Sequence, residues 1–506
     1  MKVALMHPIR DFETRQAPPF LTRDVIQDLG LDVIFDTMAS GDSVIREVVE
    51  RAMLDPLTEV NDIRYRQAVL DDVIHQADAI QDLYAVTKDT LDQQKRHMFF
   101  GITSRYPSSV LHESVAVMAM LVGMLRRLRS LGTRYRRSFH SEGFREFFGR
   151  LEDELSDDYL RTVESHLEEL DGHHGVWLSA QVGIGFLGDT YVLHRVPLGA
   201  KNWVGRLLGA RPSGMRFQIA DRDEAGARAL STLEGRGINE VANALAQSCD
   251  HVLGFFVQLR RELAFYLGCS HLIAVLAERG QEVCWPHPLP KDQLALDFRD
   301  LRPLGLCLAM PDGVVGNDLE ADEKNLILVT GANQGGKSTF LKSLGVAQLL
   351  MQCGMCVPAQ SFFANVVSSV YTHFIREEDK ALEHGKFDEE LQRLSELVDS
   401  LKPHAMVLFN ESFAATNDRE GSALAYDIVR GLCESQIKVV FVTHLEALAH
   451  TLYREKRSTQ LFLRADRQSD GQRSYKMMEA PPLYTSFAQD LFREIFGTEL
   501  GDFRGH

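Results

Sequence analysis

The residues best suited to chemistry in this sequence form one glycine-rich run, Gly331-Ala332-Asn333-Gln334-Gly335-Gly336-Lys337-Ser338-Thr339. The run fits the phosphate-binding pattern G-x-x-x-x-G-K-[ST]. Its glycines let the backbone curl around a polyphosphate, so that N–H groups point at the phosphate oxygens. In this pattern Lys337 reaches the β- and γ-phosphates, where it serves binding and catalysis, and Ser338 places its hydroxyl on Mg²⁺. The run therefore predicts a nucleotide-binding site.

The flanking sequence supplies the elements that such a loop requires. Residues 326–330 are a short apolar run suited to a buried strand, and residues 340–347 can continue as a helix. The order of strand, loop and helix puts the phosphates at the positive end of the helix. The alternative is a plain glycine-rich turn, which is disfavoured because few chance matches have these flanks.

Length and composition limit the class of protein. At 506 residues the chain exceeds one ordinary core, which predicts two or three domains. With 45% hydrophobic and 25% charged residues, it is typical of globular rather than disordered proteins. The net charge of −16 disfavours a protein that is basic over its whole surface. Any contact with DNA must therefore come from a local basic surface.

Cysteine usage and the N-terminus bear on the compartment. Seven cysteines without framework spacing predict reduced thiols in the cytosol. The lone pair Cys353 and Cys356 lacks partners for a zinc site, so we expect buried structural thiols. The first eight residues show no signal-peptide pattern, and the apolar stretch from Val115 to Leu125 is too short to span a bilayer. We expect a soluble cytoplasmic protein with no membrane partner.

Hydrophobic periodicity predicts a helical first half. Apolar residues recur three and four positions apart over residues 45–53, 80–93, 111–131 and 237–278. Residues 176–184 and 190–196 instead resemble two strands around a glycine-containing turn. A small β insertion at about 175–220 is therefore predicted within the helical part.

The second half follows a different pattern. Prolines alternate over residues 284–290, which favours an extended linker and a domain boundary. Beyond it, strand-like runs at 405–409 and 437–442 flank a helical pattern at 421–433. This alternation predicts an α/β sheet with phosphate chemistry at its strand ends. We predict an all-α domain with the β insertion over 1–290 and an α/β P-loop domain over 291–506.

Several motifs together resemble the ATPase domain of the MutS mismatch-repair family. They are Thr330 to Thr339, Gly354 to Gln360, Phe409 to Ala425 with its Asn410-Glu411-Ser412, and Phe441-Val442-Thr443-His444. The resemblance is strong over about 300–490 and weaker over 54–57 and 63–70 in the helical part. It implies an ABC-type ATPase domain joined to a helical core and lever, with ATP or ADP and Mg²⁺ as ligands. It also implies a homodimer that completes two nucleotide sites.

The resemblance assigns roles to single residues. Glu411 matches the acidic residue that polarises the attacking water, a role that a carboxylate beside the phosphates can perform. His444 matches the histidine that senses the γ-phosphate, although a lone histidine after a strand is more often structural. Asn317 lies in a segment similar to the adenine-holding loop, but Val314 and Val315 stand where the family tends to have an aromatic ring.

Three departures from the family pattern affect the expected activity. Asn410 replaces an aspartate, which keeps an oxygen near Mg²⁺ but loses a negative charge, so we predict slow hydrolysis with nucleotide binding retained. Residues 383–387 lie where the family has its signature segment, but they lack the serine of that segment. Either Gly385 or Lys386 contacts the γ-phosphate of the partner there, or the segment is a solvated loop. Helical patterns begin within the first fifty residues, so we expect no mismatch-reading or connector domain.

Two basic clusters are candidates for contact with DNA. The denser one includes Arg126, Arg127, Arg134, Arg136 and Arg137 beside Tyr135, and the second surrounds Trp203. Such clusters bind phosphates without reading sequence. The alternative is an arginine-rich solvated helix face.

Two functions of different classes remain open. The first is a MutS-like ATPase that engages DNA, structured, branched or mismatched, in repair or recombination, with ATP switching a dimer. The second is a nucleotide-gated protein-interaction module with a weak ATPase and no role on DNA. Asn410, the altered signature and the acidic charge favour this second function. A transporter ATPase is disfavoured because no transporter-type signature precedes the strand that ends at Asn410.

Overall fold

The computed structural model describes residues 1–13, 21–101, 107–171, 177–182, 188–194, 224–310, 312–331, 334–375, 386–414, 416–467 and 473–482. The chain forms two compact units. The first unit contains Met1–Val3, Asp78–His140 and Phe144–Arg260, and the second contains Ala4–Ala77, Ser141–Gly143 and Arg261–His506. This division differs from the predicted boundary at 290/291, because the first helices of the chain pack with the C-terminal sheets.

The first unit is helical. Its helices are α5 (Ala77–Gly101), α6 (Pro107–Tyr135), α7 (Glu142–Glu154), α8 (Asp157–Leu170) and most of α9 (Glu224–Glu278). Apolar residues at helical spacing form the core, and Leu121 and Leu128 of α6 are fully buried. The side chain of Ser156 caps α8 by accepting a hydrogen bond from the Tyr159 N–H at 3.2 Å. The helical prediction for the first part of the chain is confirmed.

A β-hairpin interrupts these helices. Strands β1 (Trp177–Val182) and β2 (Gly188–His194) pair antiparallel, with Trp177 opposite His194. The predicted β insertion is confirmed over these two strands. The rest of the predicted insertion, including the basic cluster around Trp203, lies outside the described residues.

One helix is longer than the apolar run in its sequence. Within the part of the chain that the structure describes, a single helical stretch, Pro107–Ser138, is long and apolar enough to cross a membrane by length and composition alone. Half of its most apolar 18-residue stretch is buried inside the protein. Core helices of soluble proteins can have the same length and apolar composition. The apolar run that the sequence shows, Val115 to Leu125, lies inside this longer helix.

The second unit begins with an N-terminal segment that contains a run of bends, followed by four helices. The helices are α1 (Thr22–Leu29), α2 (Leu31–Ala39), α3 (Ser43–Leu54) and α4 (Val60–His75). The N–H groups of Leu5, Met6 and Phe12 donate hydrogen bonds of 2.6, 3.0 and 2.8 Å to the carboxylate of Glu262, which is fully buried. This carboxylate satisfies backbone groups that would otherwise be buried without partners.

The centre of the second unit is a six-stranded sheet in the order β12-β11-β6-β10-β9-β8. The strands are β6 (Leu326–Thr330), β8 (Val370–Phe374), β9 (Met406–Asn410), β10 (Lys438–Val442), β11 (Gln460–Arg467) and β12 (Arg473–Glu479). The pairs are parallel except that of β11 with β12. The apolar residues of β6 and β10 are almost completely buried, as expected for a parallel sheet covered on both faces. The predicted α/β architecture is confirmed.

A second, four-stranded sheet has the order β3-β7-β4-β5. Its strands are β3 (His287–Leu289), β4 (Leu296–Leu301), β5 (Asn317–Glu320) and β7 (Ser361–Asn365). Residues 287–289 of the predicted linker form β3 of this sheet, and Cys284 forms a separate bridge with Val357, so the segment 284–290 is no free linker. Strand β3 tolerates Pro288 because it lies at the edge of the sheet.

The remaining helices connect the strands of the second unit. They are α10 (Leu304–Ala309), α11 (Lys337–Gln352), α12 (Lys386–Ser400), α13 (Asp418–Glu434) and α14 (Glu446–Glu455). Helix α11 packs so closely that a Cβ on Gly345 would lie 2.6 Å from a methyl carbon of Leu408 and 3.0 Å from one of Leu29. Glycine at this position therefore fixes the distance between the sheet, α11 and α1.

Candidate nucleotide-binding site

The glycine-rich loop joins the end of β6 to the start of α11. Gly331 and Gly336 have φ angles of +118° and +86°, which favour glycine. Gln334 also has a positive φ, +59°, at a cost of about 1–3 kcal/mol for a residue with a side chain. The backbone of the loop therefore has the unusual conformations that a phosphate cradle requires, directly before a helix N-terminus. Residues 332 and 333 lie outside the described residues.

The amine of Lys337 lies within this loop. Lys337 is 4% exposed, and its Nζ donates a hydrogen bond of 2.9 Å to the carbonyl oxygen of Gly331. Burial lowers the pKa of Lys337 to about 8, and the nearby Glu411 carboxylate opposes that shift. An anion bound in the loop would stabilise the charged amine.

A cavity of about 530 Å³ opens above the loop. Its polar side is formed by the loop and by Glu411, and its apolar side by the segment that includes α10. The lining residues are Pro303, Leu306, Met310, Gly313, Val314, Val315, Asn317, Gln334, Gly335, Gly336, Lys337, Ser338, Thr339, Phe340, Glu411 and Tyr475. Ligand pockets commonly measure about 300–1,000 Å³ and combine an apolar lining with a few polar groups. A nucleotide matches this size and this division of polarity.

Two oxygen-bearing side chains meet at the phosphate end of the cavity. Ser338 Oγ donates a hydrogen bond of 2.9 Å to Oδ1 of Asn410, the last residue of β9. Mg²⁺ prefers oxygen ligands and takes few of them from protein, with water and phosphate supplying the rest. The pair therefore fits a magnesium ion, although neither member carries a charge.

Glu411 and His444 meet at the ends of neighbouring parallel strands. Glu411 follows β9, its N–H donates to the carbonyl oxygen of Val442 at 2.8 Å, and its Oε1 lies 3.0 Å from His444 Nε2. The hydrogen bond from His444 holds the pKa of Glu411 below its usual value, although burial acts in the opposite direction. Glu411 is thus an ionised carboxylate at neutral pH, beside the phosphate loop.

Asn317 lines the cavity, but its amide is engaged elsewhere. Asn317 Nδ2 donates to the carbonyl oxygen of Tyr475 at 3.2 Å, and its Oδ1 accepts from the Met477 N–H at 2.7 Å. These bonds fix β12 at the edge of the cavity. The side chain of Asn317 therefore positions a strand at the edge of the site.

Sequence reasoning missed Tyr475. This residue of β12 lines the cavity, and a Cβ on Gly336 would lie 3.5 Å from its ring. Its ring lies at the same cavity as Val314 and Val315, which have no aromatic ring. The only signal in the sequence is a tyrosine in a strand-like run far along the chain, and nothing local connects it to the loop.

The structure leaves the predicted partner-contact residues undescribed. Gly385 lies outside the described residues, and Lys386 begins α12 with its side chain undescribed. Contact of this segment with a second chain therefore stays a prediction.

The denser basic cluster is partly neutralised within the first unit. Arg134 lies over the ring of Tyr135, with 4.9 Å from the guanidinium carbon to the ring centroid. Three other arginines pair with carboxylates: Arg126 with Glu164, Arg127 with Asp89 and Arg136 with Glu152. These pairs reduce the positive charge that the sequence alone predicts for this surface.

The two cysteines of the CxxC segment are buried free thiols. Cys353 Sγ donates to the carbonyl oxygen of Ala52 at 3.3 Å, and burial raises the pKa of both Cys353 and Cys356 to about 12. The expectation of buried structural thiols is confirmed.

Comparison with known families gives two matches. The model of the MutS2 N-terminal domain matches residues 58–279. The model of MutS domain V matches residues 327–488, which include the loop, Glu411 and His444. Together the two matches cover most of the chain.

Curated relatives include proteins of the same family. One is the DNA mismatch repair protein MutS of Flavobacterium psychrophilum, 26% identical over 305 residues, which cover 58% of this chain and 34% of that protein. Another is Endonuclease MutS2 of Thermus thermophilus, 32% identical over 183 residues, which cover 36% of this chain and 24% of that protein. The chain thus spans about a third or less of the length of these relatives. On the two family matches and these relatives, the chain belongs to the MutS family.

Proposed function

We propose that this chain binds and hydrolyses ATP. The observation that carries the proposal is the cavity in which Lys337, Ser338 and Glu411 line one end. A buried amine suits a triphosphate, a hydroxyl suits Mg²⁺, and a carboxylate can position water. The match to MutS domain V over the same residues supports this combination.

The nucleotide lies along the cavity in this proposal. Its phosphates contact the N–H groups of Gly335 and Gly336 at the start of α11 and the amine of Lys337. Its base lies between the apolar side chains around Leu306 and the ring of Tyr475, where stacking and burial favour an aromatic heterocycle.

Hydrolysis requires a water molecule held in line with the γ-phosphate. The ionised Glu411 accepts a hydrogen bond from that water, and His444 holds the carboxylate in place. Ser338 directly, and Asn410 through water, would hold Mg²⁺, which when bound neutralises charge on the phosphates. The missing charge at Asn410 makes turnover slow, while the other contacts preserve binding.

We further propose that the protein acts on DNA as a cytoplasmic homodimer. Two matched relatives are named for DNA mismatch repair and endonuclease functions, which supports a role in repair or recombination. The proposed substrate is structured, branched or mismatched DNA, bound without sequence readout. ATP can switch such a dimer only if it favours one arrangement over the other.

Two titrations test these proposals. Labelled ATP and ADP titrated into the protein, with and without Mg²⁺, should show saturable binding that Lys337→Met removes. A second titration uses duplex, mismatched, branched and single-stranded DNA at stated salt, with and without ATP. Absent nucleotide binding in folded protein contradicts the first proposal, and absent DNA binding at low salt contradicts the second.

A second candidate function is a nucleotide-gated protein-interaction module with a weak ATPase. Its supporting observation is the pairing of Arg126, Arg127 and Arg136 with carboxylates, which lowers the net positive charge of this surface. The net charge of −16 also favours this function over DNA binding. Nucleotide binding without DNA binding in the two titrations favours this function.

A further inference from the structure

The turn that carries Glu411 has an uncommon backbone. Glu411 and Phe413 have φ angles of +57° and +66°, in the left-handed region that residues with bulky side chains rarely adopt. Such conformations persist only where the surrounding structure holds them, and they concentrate at functional sites. The contacts that hold this turn therefore determine where the Glu411 carboxylate lies.

Three consecutive residues of the turn are tied to three different elements. The Glu411 N–H donates to the Val442 carbonyl of β10 at 2.8 Å. Ser412 Oγ donates at 2.7 Å to the carbonyl of His373 in β8, whose Nδ1 also lies 2.8 Å from that hydroxyl. The N–H of Phe413 donates at 2.6 Å to Oε1 of Glu390 in α12. The last tie is the only one of the three that depends on a charged side chain.

Glu390 is buried without a role in the cavity. It is 5% exposed and does not line the cavity, although it lies on α12 directly behind the turn. Burial of a carboxylate is unfavourable, and it raises the pKa of Glu390, while the hydrogen bond from Phe413 opposes that shift. An apolar residue would fill such a position at lower cost, so the hydrogen bond is the feature that calls for a carboxylate.

We propose that Glu390 is the positioning residue for Glu411, acting through the N–H of Phe413. Its acceptor oxygen keeps the left-handed turn closed, so that the Glu411 carboxylate stays beside His444 and the phosphate loop. Because Glu390 lies in the second turn of α12, a shift of this helix moves Glu411 as well. The inference rests on the proposed ATPase activity, in which Glu411 positions water.

Three substitutions separate the parts of this proposal. Glu390→Gln keeps an acceptor oxygen of the same reach and removes the charge. Glu390→Leu removes the acceptor, and Glu390→Asp retracts it by one methylene, which provides a milder variant if the leucine protein fails to fold. Asp388→Asn is the matched control, because Asp388 is exposed on the same helix. Each protein is assayed for steady-state ATP turnover, for ATP affinity and for thermal unfolding.

The expected result is a loss of turnover without a loss of binding. Glu390→Leu and Glu390→Asp should lower kcat by about 10- to 100-fold, the effect of displacing a reacting group by about 1 Å, with the ATP dissociation constant within about twofold of wild type. Glu390→Gln and Asp388→Asn should keep kcat within about threefold. A wild-type kcat in folded Glu390→Leu or Glu390→Asp protein overturns the inference, as does a loss in Glu390→Gln equal to that in Glu390→Leu. No turnover by the wild type contradicts the proposed ATPase instead.

Discussion

The substitution Asn410→Asp restores the charge whose absence distinguishes this site from the family pattern. Asn410 Oδ1 already accepts the hydrogen bond of Ser338 at 2.9 Å, and an aspartate oxygen can accept it equally well. The change therefore adds one negative charge next to the proposed Mg²⁺ position while it keeps the local geometry. We predict that the variant reaches half-maximal turnover at a lower Mg²⁺ concentration than the wild type and that it hydrolyses ATP faster.

The magnitude follows from the position of the side chain. Two unit charges about 4 Å apart interact by about 4 kcal/mol at an effective dielectric constant of about 20. Asn410 is half-buried next to Ser338, which lines the cavity, so water screens part of this interaction. Substitution of a residue that contacts a metal only through one of its ligands commonly changes the affinity of the protein for that metal by about 10- to 100-fold. We expect a decrease of this size in the Mg²⁺ concentration that gives half-maximal turnover.

The assay is a Mg²⁺ titration of ATP turnover and of ATP binding in wild type and variant. Asn417→Asp is the matched control, because Asn417 caps α13 by accepting from the Glu420 N–H at 3.0 Å and an aspartate caps equally well. Identical Mg²⁺ dependence and turnover in wild type and Asn410→Asp would refute the assignment of Asn410 to the magnesium site.

Four further predictions address other parts of the structure. Glu411→Gln should retain ATP binding and lower turnover by about 10²- to 10⁴-fold in a single-turnover assay. ATP affinity should fall by up to about tenfold per pH unit above pH 8, because Lys337, whose pKa is about 8, loses its proton there; a flat profile from pH 7 to 9 contradicts this. Gln352→Leu should lower the free energy of unfolding by about 2–5 kcal/mol in denaturant titrations, because three buried backbone groups lose their partner. Replacing Arg134 and Arg137 by glutamine should reduce the salt slope of DNA binding by about 1 for each residue, and an unchanged slope excludes them as contacts.

Local sequence signals were sufficient for the phosphate loop and its flanks. The apolar run at 326–330 is β6, and the helix predicted after the loop is α11. The order of a β run, a glycine loop and a helix is encoded within about fifteen residues, so it needs no knowledge of distant parts of the chain. The strands before Glu411 and His444 were found in the same way, from short apolar runs.

Features that depend on contacts far apart in sequence could not be predicted. The prolines at 286–290 indicate extended backbone, but only the position of β7 shows that this backbone belongs to a sheet. Tyr475 reaches the cavity because Asn317 fixes β12 beside it. Glu390 contacts the turn after β9 across a helix-to-strand packing that no short motif encodes. The ion pair between Arg126 and Glu164 likewise joins two separate helices. The local run of arginines in the sequence therefore does not show that the charge of Arg126 is paired.

The central claim is that the cavity above the glycine loop holds a nucleoside triphosphate, and a crystal structure with a non-hydrolysable ATP analogue tests it most directly. The account predicts the triphosphate against the N–H groups of Gly335 and Gly336 and the amine of Lys337, with the base beside Tyr475. A well-ordered crystal in which the analogue lies elsewhere, or in which this cavity stays empty at saturating concentration, would contradict it.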